Sequence, residues 1–189
     1  MKFDQLGLVF DERLSAADCC VRVVDDFVPE VLEYGTVQTL IGGMTLVWCD
    51  RGLCYLGFDE VRSLERVYRF FPATTLLRDQ NKVERYKEDV LRAWCGEQAI
   101  DVVVHGTPFQ KSVWRALLRI PVGHVASYGA VAEYIGRPKA VRAVAQACAA
   151  NGLAVAIPCH RVVRSDGSLS GYRWGIERKR ALLEREATS

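Results

Sequence analysis

Ile157-Pro158-Cys159-His160-Arg161-Val162, entered through the apolar run 153–157, is the stretch from which the rest of the chain is read. The run predicts a short buried strand. Pro158 fixes its own φ and biases Ile157 towards extended backbone. Cys159 is then held in a defined direction with a histidine next to it, which makes it the candidate nucleophile. Neighbouring side chains of an extended segment point to opposite sides, so the pair need not touch directly. A free cysteine is also a small hydrophobe that packs well, so the hexapeptide needs support from elsewhere in the chain.

Outward from it, 189 residues suffice for one large or two small domains, and half of them are hydrophobic. Apolar runs are too short to cross a membrane, and the start Met1-Lys2-Phe3-Asp4 lacks a signal-peptide pattern, so a cytoplasmic protein with no membrane partner is expected. Seven cysteines form no CxxC pair, which suits a reducing compartment. Cys49 and Cys54 are placed as cross-strand neighbours, but with only three histidines in the chain a metal site is not expected. Charge is uneven. Residues 1–33 carry eight acidic and three basic side chains, whereas 106–189 carry thirteen Lys/Arg against five Asp/Glu. A basic half holding the candidate nucleophile points to a polyanion, or to a merely solvated basic surface.

Ahead of the hexapeptide, Thr107 and Pro108 open a helix as N-cap and first residue. Ser127 caps a shorter helix over 128–135, Gly136-Arg137-Pro138 turns the chain, and a third helix spans 139–150. Asn151-Gly152 then predicts a left-handed stop. Two short helices about a Gly/Pro turn suggest a helix-turn-helix. Ala140, Ala143, Ala147 and Ala150 leave one face of the third helix nearly bare, with Arg142 its single long cation. That face fits close approach to a groove, or equally close packing on a neighbouring helix.

Before residue 106 the pattern changes. Three β-rich runs, 36–41, 44–49 and 53–58, are separated by Gly42-Gly43 and Asp50-Arg51-Gly52 and predict an antiparallel meander. Helices are expected from Asp59 to Pro72 and over 83–94, closing at Gly96. A short helix is expected from Ser15 to Phe27, stopped before Pro29. The fold class is therefore α+β: a small antiparallel-sheet domain with helices, then a mainly helical domain with the helix-turn-helix. The division is 1–33 as an extension of unclear role, 34–105 as a supporting domain and 106–189 as the functional domain.

Taken together, the hexapeptide and the helix-turn-helix with Arg142 resemble the O6-alkylguanine-DNA alkyltransferases. Gly106-Thr107-Pro108-Phe109-Gln110 and Ser170-Gly171-Tyr172-Arg173-Trp174-Gly175 are similar to the branch found as the C-terminal domain of bacterial adaptive-response proteins. The resemblance is dense over 106–187, follows only element order over 36–105, and does not reach 1–33.

It implies direct, irreversible transfer of an alkyl group, mainly methyl, from O6-alkylguanine in double-stranded DNA to Cys159, with O4-methylthymine as a further substrate. His160 would take the thiol proton through a water, Glu186 on a last helix over 174–187 would orient His160, and Asn151 would hold the turn at the cysteine. The base would be extruded, Arg142 filling the vacated stack, with Tyr128, Ala140, Lys139 and Arg137 at the DNA. Tyr128, Cys148, Val162, Tyr172, Arg173 and Trp174 would form the base pocket, the carbonyls of Cys159 and Val162 accepting from the guanine amino group. Trp174 would narrow the pocket to methyl-sized adducts. A thioether product does not hydrolyse, so each molecule would act once, as a monomer and without cofactor.

The family's vertebrate-type zinc ligands have no counterparts here, so no zinc is expected. Without a cysteine-rich phosphotriester-repair domain upstream, a transcription-activating role is not expected either. Two rivals remain: a lesion-binding module that does not react, although such proteins lack the cysteine, and a Cys-His hydrolase. The second lacks an apparent oxyanion-hole loop and a histidine from a distant segment.

Overall fold

Hairpin chemistry starts the fold. In the computed structural model, which describes residues 21–25, 27–94 and 97–187, β2 (Val31–Thr39), β3 (Gly42–Cys49) and β4 (Gly52–Gly57) pair antiparallel in succession. This is the meander expected from the sequence. Gly52 has φ +138, and a Cβ there would lie 2.3 Å from the Asp101 carbonyl oxygen, so the β3–β4 turn needs glycine. A register shift between Val47 and Trp48 marks a bulge opposite Cys54.

The meander is the centre of a six-stranded mixed sheet in the order β1-β6-β4-β3-β2-β5. Its outer members are β1 (Val21–Asp25), β5 (Thr75–Arg78) and β6 (Ile100–Val104). β1 lies parallel to β6, with Val21 opposite Ile100, and β5 lies parallel to β2. The helix expected over 15–27 is thus a strand over 21–25; its earlier part lies outside the described residues. Ladder bonds to β6, together with a bidentate Arg22–Asp101 pair at 2.8 and 3.0 Å, outweigh a weak local helical pattern.

Two helices accompany the sheet. α1 (Glu60–Phe70) is capped by the Asp59 carboxylate, which accepts from Arg62 N–H at 3.0 Å. α2 (Gln80–Trp94) begins three residues before its expected start. Gly96, its expected stop, is outside the described residues. Val47, Tyr55, Val67, Phe71 and Leu32 form the core of this unit. The described residues between 21 and 105 cluster with 152–156 as one compact unit, and Leu153 makes a single parallel bridge to Leu56 there.

The run 153–157 is therefore not a strand. After that one bridge it turns at residues 154–156, with Val155 at φ +65. Continuous apolarity reports burial, which is complete here, but not the backbone state. A β-branched residue at positive φ costs on the order of 1–3 kcal/mol.

The second unit, with residues 106–151 and 157 onward, is mainly helical. α3 (Pro108–Leu117) carries a full capping box: Thr107 Oγ1 accepts from Gln110 N–H at 3.2 Å, and Gln110 Oε1 accepts from Thr107 N–H at 2.9 Å. Ser127 caps α4 (Tyr128–Tyr134) by accepting from Ala130 N–H. α5 (Val141–Ala150) follows the turn through Gly136, which has φ +69. Its end departs from expectation. Asn151 has φ −55 and ψ 126, and Gly152 is not at positive φ, so no left-handed stop forms. β7 (Ala126–Ser127) pairs parallel with β8 (Val162–Val163), and α6 (Ile176–Glu186) closes the described chain. No helix among the described residues is long and apolar enough to cross a membrane.

Candidate active site

Cys159 opens a 3-10 turn, Cys159–Arg161, rather than continuing an extended segment. Pro158 at φ −81 precedes it, Cys159 N–H donates to Ile157 O at 2.8 Å, and Arg161 N–H donates to Pro158 O at 3.0 Å. Asn151 fixes the turn from outside it. Its Nδ2 donates to Ile157 O at 2.9 Å and to Cys159 Sγ at 3.2 Å, and the side chain is buried. The resemblance implied that Asn151 holds this turn through backbone groups; the bond to the sulfur is additional.

A pocket of about 290 Å³ opens over the thiol. Tyr128, Cys148, Cys159, Tyr172 and Arg173 line it, together with Gly171 and with Ala145 and Ala149 of α5. Val162 and Trp174 were expected in the lining and are not part of it. Trp174 meets Tyr172 edge-on at 5.1 Å between ring centroids, with the Arg173 guanidinium 5.8 Å from its own ring. Arg173 Nη1 also donates to Asn151 O at 2.9 Å, tying the pocket wall to the residue that holds the sulfur.

Beside the thiol, His160 is fully buried and its Nε2 meets Glu186 Oε1 at 2.8 Å. Glu186 is held in turn by Arg161, whose Nε and Nη2 donate to its two oxygens at 2.9 and 2.8 Å. Arg161 Nη1 donates to Ile120 O at 2.7 Å. With Glu186 accepting at Nε2, the hydrogen sits there and Nδ1 carries the lone pair. That Nδ1 is buried with no hydrogen-bond partner among the described residues. Glu186 and His160 thus meet, a contact the family resemblance implied, and the residue that completes the triangle is Arg161.

Burial raises the Glu186 carboxyl, but the bonds from His160 and Arg161 outweigh it and hold the group well below the usual carboxylate range. Burial lowers the His160 imidazole, opposed by Glu186, so the ring is neutral at pH 7. Burial pushes the Cys159 thiol up, while the Asn151 bond and the cations Lys179 and Arg173 pull it down. The resting site pairs a neutral thiol with a neutral base backed by a charged carboxylate, a combination suited to proton removal during attack.

Lys179 was not legible as a site residue. Its side chain is fully buried, and Nζ donates to Val162 O at 2.5 Å and to Ser170 Oγ at 3.2 Å. Ser170 Oγ in turn lies 2.6 Å from Tyr128 OH. Burial lowers the Lys179 ammonium to about 8. The Val162 carbonyl, expected to face a guanine amino group, already accepts from Lys179. The Cys159 carbonyl likewise accepts from Val162 N–H. Each keeps a second lone pair.

On α5 the alanine stripe divides. Ala147 is buried, its carbonyl accepting from Trp114 Nε1 of α3 at 2.9 Å, so the close-packing alternative holds there. The outward positions are Val141, Arg142, Gln146 and Ala149. Arg142 stands three and seven residues before Ala145 and Ala149 of the pocket lining, on one side of the helix. Arg137 and Lys139 are exposed and Ala140 is half-buried as the residue before α5. Among the described residues no group of three or more His, Cys, Asp or Glu is placed to hold a metal ion.

A thiol lining a small pocket, a buried imidazole backed by a carboxylate and a helix pair with an exposed arginine form an arrangement chemically able to accept a transferred group on sulfur. The model for the DNA-binding domain of 6-O-methylguanine DNA methyltransferase matches residues 108–188. The methylated-DNA–protein-cysteine methyltransferase of Mycobacterium bovis is 40% identical over 160 residues, covering 82% of this chain and 93% of that one. The bifunctional transcriptional activator/DNA repair enzyme Ada of Escherichia coli is 42% identical over 161 residues; the match covers 82% of this chain but only 46% of that protein, so the chain spans about half its length. The crystal structure of the Mycobacterium tuberculosis OGT in complex with DNA superposes with a TM-score of 0.68 at 36% identity, covering 84% of this chain and 93% of that one. The chain belongs to the methylated-DNA–protein-cysteine methyltransferase family.

Proposed function

We propose that this protein repairs DNA by moving the alkyl group of O6-alkylguanine, chiefly methyl, onto Cys159 in one irreversible step, and that it accepts O4-methylthymine as well. The observation that carries this reading is the cysteine itself: Cys159 lines the pocket, its Sγ anchored by Asn151, next to a buried neutral His160 whose Nδ1 has no hydrogen-bond partner among the described residues. Nδ1 takes the thiol proton through a bridging water as Sγ attacks the alkyl carbon. The S–C bond forms, the C–O6 bond breaks, and the guanine takes up a proton to return to its keto form. Glu186, fixed by Arg161, stabilises the imidazolium that forms in between. A thioether is left on Cys159, and water does not hydrolyse it.

Duplex DNA hides O6, so the base is rotated out into the pocket, where Tyr128 and Tyr172 supply walls and the Tyr128 hydroxyl a donor. Arg142 enters the gap left in the stack, with Arg137 and Lys139 on phosphates. The division at 34 expected from the sequence cuts β2 and leaves out β1, so the acceptor and DNA-binding unit is 106–151 with the chain from 157, and the sheet unit with 152–156 supports it. We take the protein to act as a monomer, in the cytoplasm and without cofactor. The test is stoichiometry. Titrating the protein into excess duplex bearing O6-methylguanine repairs one lesion per molecule and then stops. Repeated turnover, or tight binding with the lesion left intact, overturns the reading.

A further inference from the structure

A second pair of sulfur atoms lies in the sheet unit. At the close of the β3–β4 hairpin, Cys54 Sγ sits 3.5 Å from Cys49 Sγ. The bulge at Val47/Trp48 leaves Cys54 out of the ladder register, and the Gly52 turn keeps the hairpin tight at Cys49. The two sulfurs differ chemically. Cys49 accepts from Cys54 and, at 3.3 Å, from Arg51 N–H, and those bonds hold its thiol down at about 7 against the effect of burial. Cys54 is pushed up by its bond to Cys49 and by burial; its S–H also has Gly52 O as an acceptor at 3.6 Å. The pair is therefore biased, with Cys49 the sulfur that loses its proton more readily and Cys54 the one that keeps it, the division of labour of an attacking and a resolving cysteine.

Access comes from a cleft of about 270 Å³ that Cys49 borders. The charged and titratable groups around it are Asp50, Arg51, Tyr86, Asp89 and Asp101, the last bound by Arg22. Nothing in the alkyl-transfer chemistry uses this cleft.

We propose that Cys49 and Cys54 form a peroxide-reactive dithiol that closes to an intramolecular disulfide. The Cys49 thiolate attacks one peroxide oxygen, giving a sulfenic acid and releasing water after protonation (or an alcohol from an organic peroxide). The Cys54 thiol then displaces the sulfenic hydroxyl as a second water, with loss of its own proton. Two thiols are oxidised, one peroxide is reduced, and the sulfurs need only close from 3.5 Å to about 2.05 Å. The hairpin gains a covalent clasp while Cys159, a buried and mainly neutral thiol, keeps its hydrogen.

Graded hydrogen peroxide on the full chain, then alkylation of remaining thiols and non-reducing peptide mapping, tests this. The expected result is a Cys49–Cys54 linked peptide appearing at a peroxide dose at least tenfold below the one that blocks Cys159, with methyl acceptance from DNA retained. Cys54→Ser should lose the linked peptide and hold Cys49 as a sulfenic acid that a dimedone probe captures. Cys49→Ser should give neither product. Cys49 and Cys54 both fully alkylated after peroxide, or oxidised no sooner than Cys159, would overturn the proposal while leaving the alkyl-transfer reading untouched.

Discussion

Replacing Glu186 with Gln changes no volume and removes one charge, so it isolates what the carboxylate does. In the wild-type site its two oxygens accept three N–H groups: His160 Nε2 and Arg161 Nη2 at Oε1, both at 2.8 Å, and Arg161 Nε at Oε2, 2.9 Å. A glutamine offers one acceptor oxygen. If its NH2 replaces Oε2, it faces the Arg161 Nε–H, donor against donor. If it replaces Oε1, it faces Arg161 Nη2 and His160 together, and His160 finds relief only by moving its proton to Nδ1. One or two charge-assisted bonds, each worth about 1.5–3 kcal/mol, are lost in a site where the Glu186 side chain is 1% exposed. The expected destabilisation is about 2–4 kcal/mol, read from urea unfolding.

Catalysis suffers more than stability in that variant. The second arrangement places a hydrogen on the atom that must accept one, and the first leaves the imidazolium without its counter-charge. General-base assistance is worth about 10²–10⁴ in rate, and Glu186→Gln should lose most of it in single-turnover transfer from duplex O6-methylguanine. A folded variant transferring within threefold of the wild type would refute the reasoning and reduce Glu186 to an anchor for Arg161. The acid limb provides a check. A carboxyl held below its unfolded value contributes stability that is fully present above about pH 4.3 and lost as pH falls towards the folded value. The stability gap between wild type and variant should therefore narrow on acidification.

Asn151→Ala removes donors to Ile157 O and Cys159 Sγ; a loss of about 1–3 kcal/mol in unfolding and a shift of the thiol pKa further upward are expected, and an unchanged pKa would contradict the contact. Because burial lowers His160, the transfer rate should stay level as pH drops through 6.5 and decline only below it, whereas an inflection at or above 6.5 would contradict a buried neutral base. Arg142→Ala should slow repair in duplex much more than reaction with the free base; equal losses would remove it from base extrusion. Trp174→Gly frees Tyr172 from an edge contact worth about 0.5–1.5 kcal/mol, so the rate on benzylguanine relative to methylguanine should rise several-fold, and an unchanged ratio would show that Trp174 has no say in pocket width.

What the chain discloses to a reader of its sequence depends on how local the deciding physics is. Thr107, Ser127 and the hairpin residues around Gly42 and Gly52 act on neighbours within a few positions, and the structure places their caps and turns as expected. Val21–Asp25 misleads because its partner strand lies some eighty residues on. Residues 153–157 mislead because an apolar run announces burial and says nothing of a turn at Val155. Asn151 stops α5 without a left-handed backbone and spends its side chain on the cysteine turn instead.

Arg161, quoted in the hexapeptide but given no role, and Lys179, not singled out at all, were missed for a related reason. A cation in a basic helix or loop reads as solvated surface, and only the fold shows that these two are buried against Glu186, Val162 O and Ser170. The spacing of hydrophobic residues around Lys179 holds one usable signal. It lies three and four positions before Leu182 and Leu183, on the buried side of α6.

The central claim is that Cys159 Sγ itself receives the alkyl group. Incubating the protein with duplex O6-methylguanine and mapping the digest by mass spectrometry should show one peptide, the one containing Cys159, heavier by a single CH2. Cys159→Ser should show none. A methyl group found on any other cysteine, or an unmodified Cys159 peptide after the lesion has disappeared, would contradict the account.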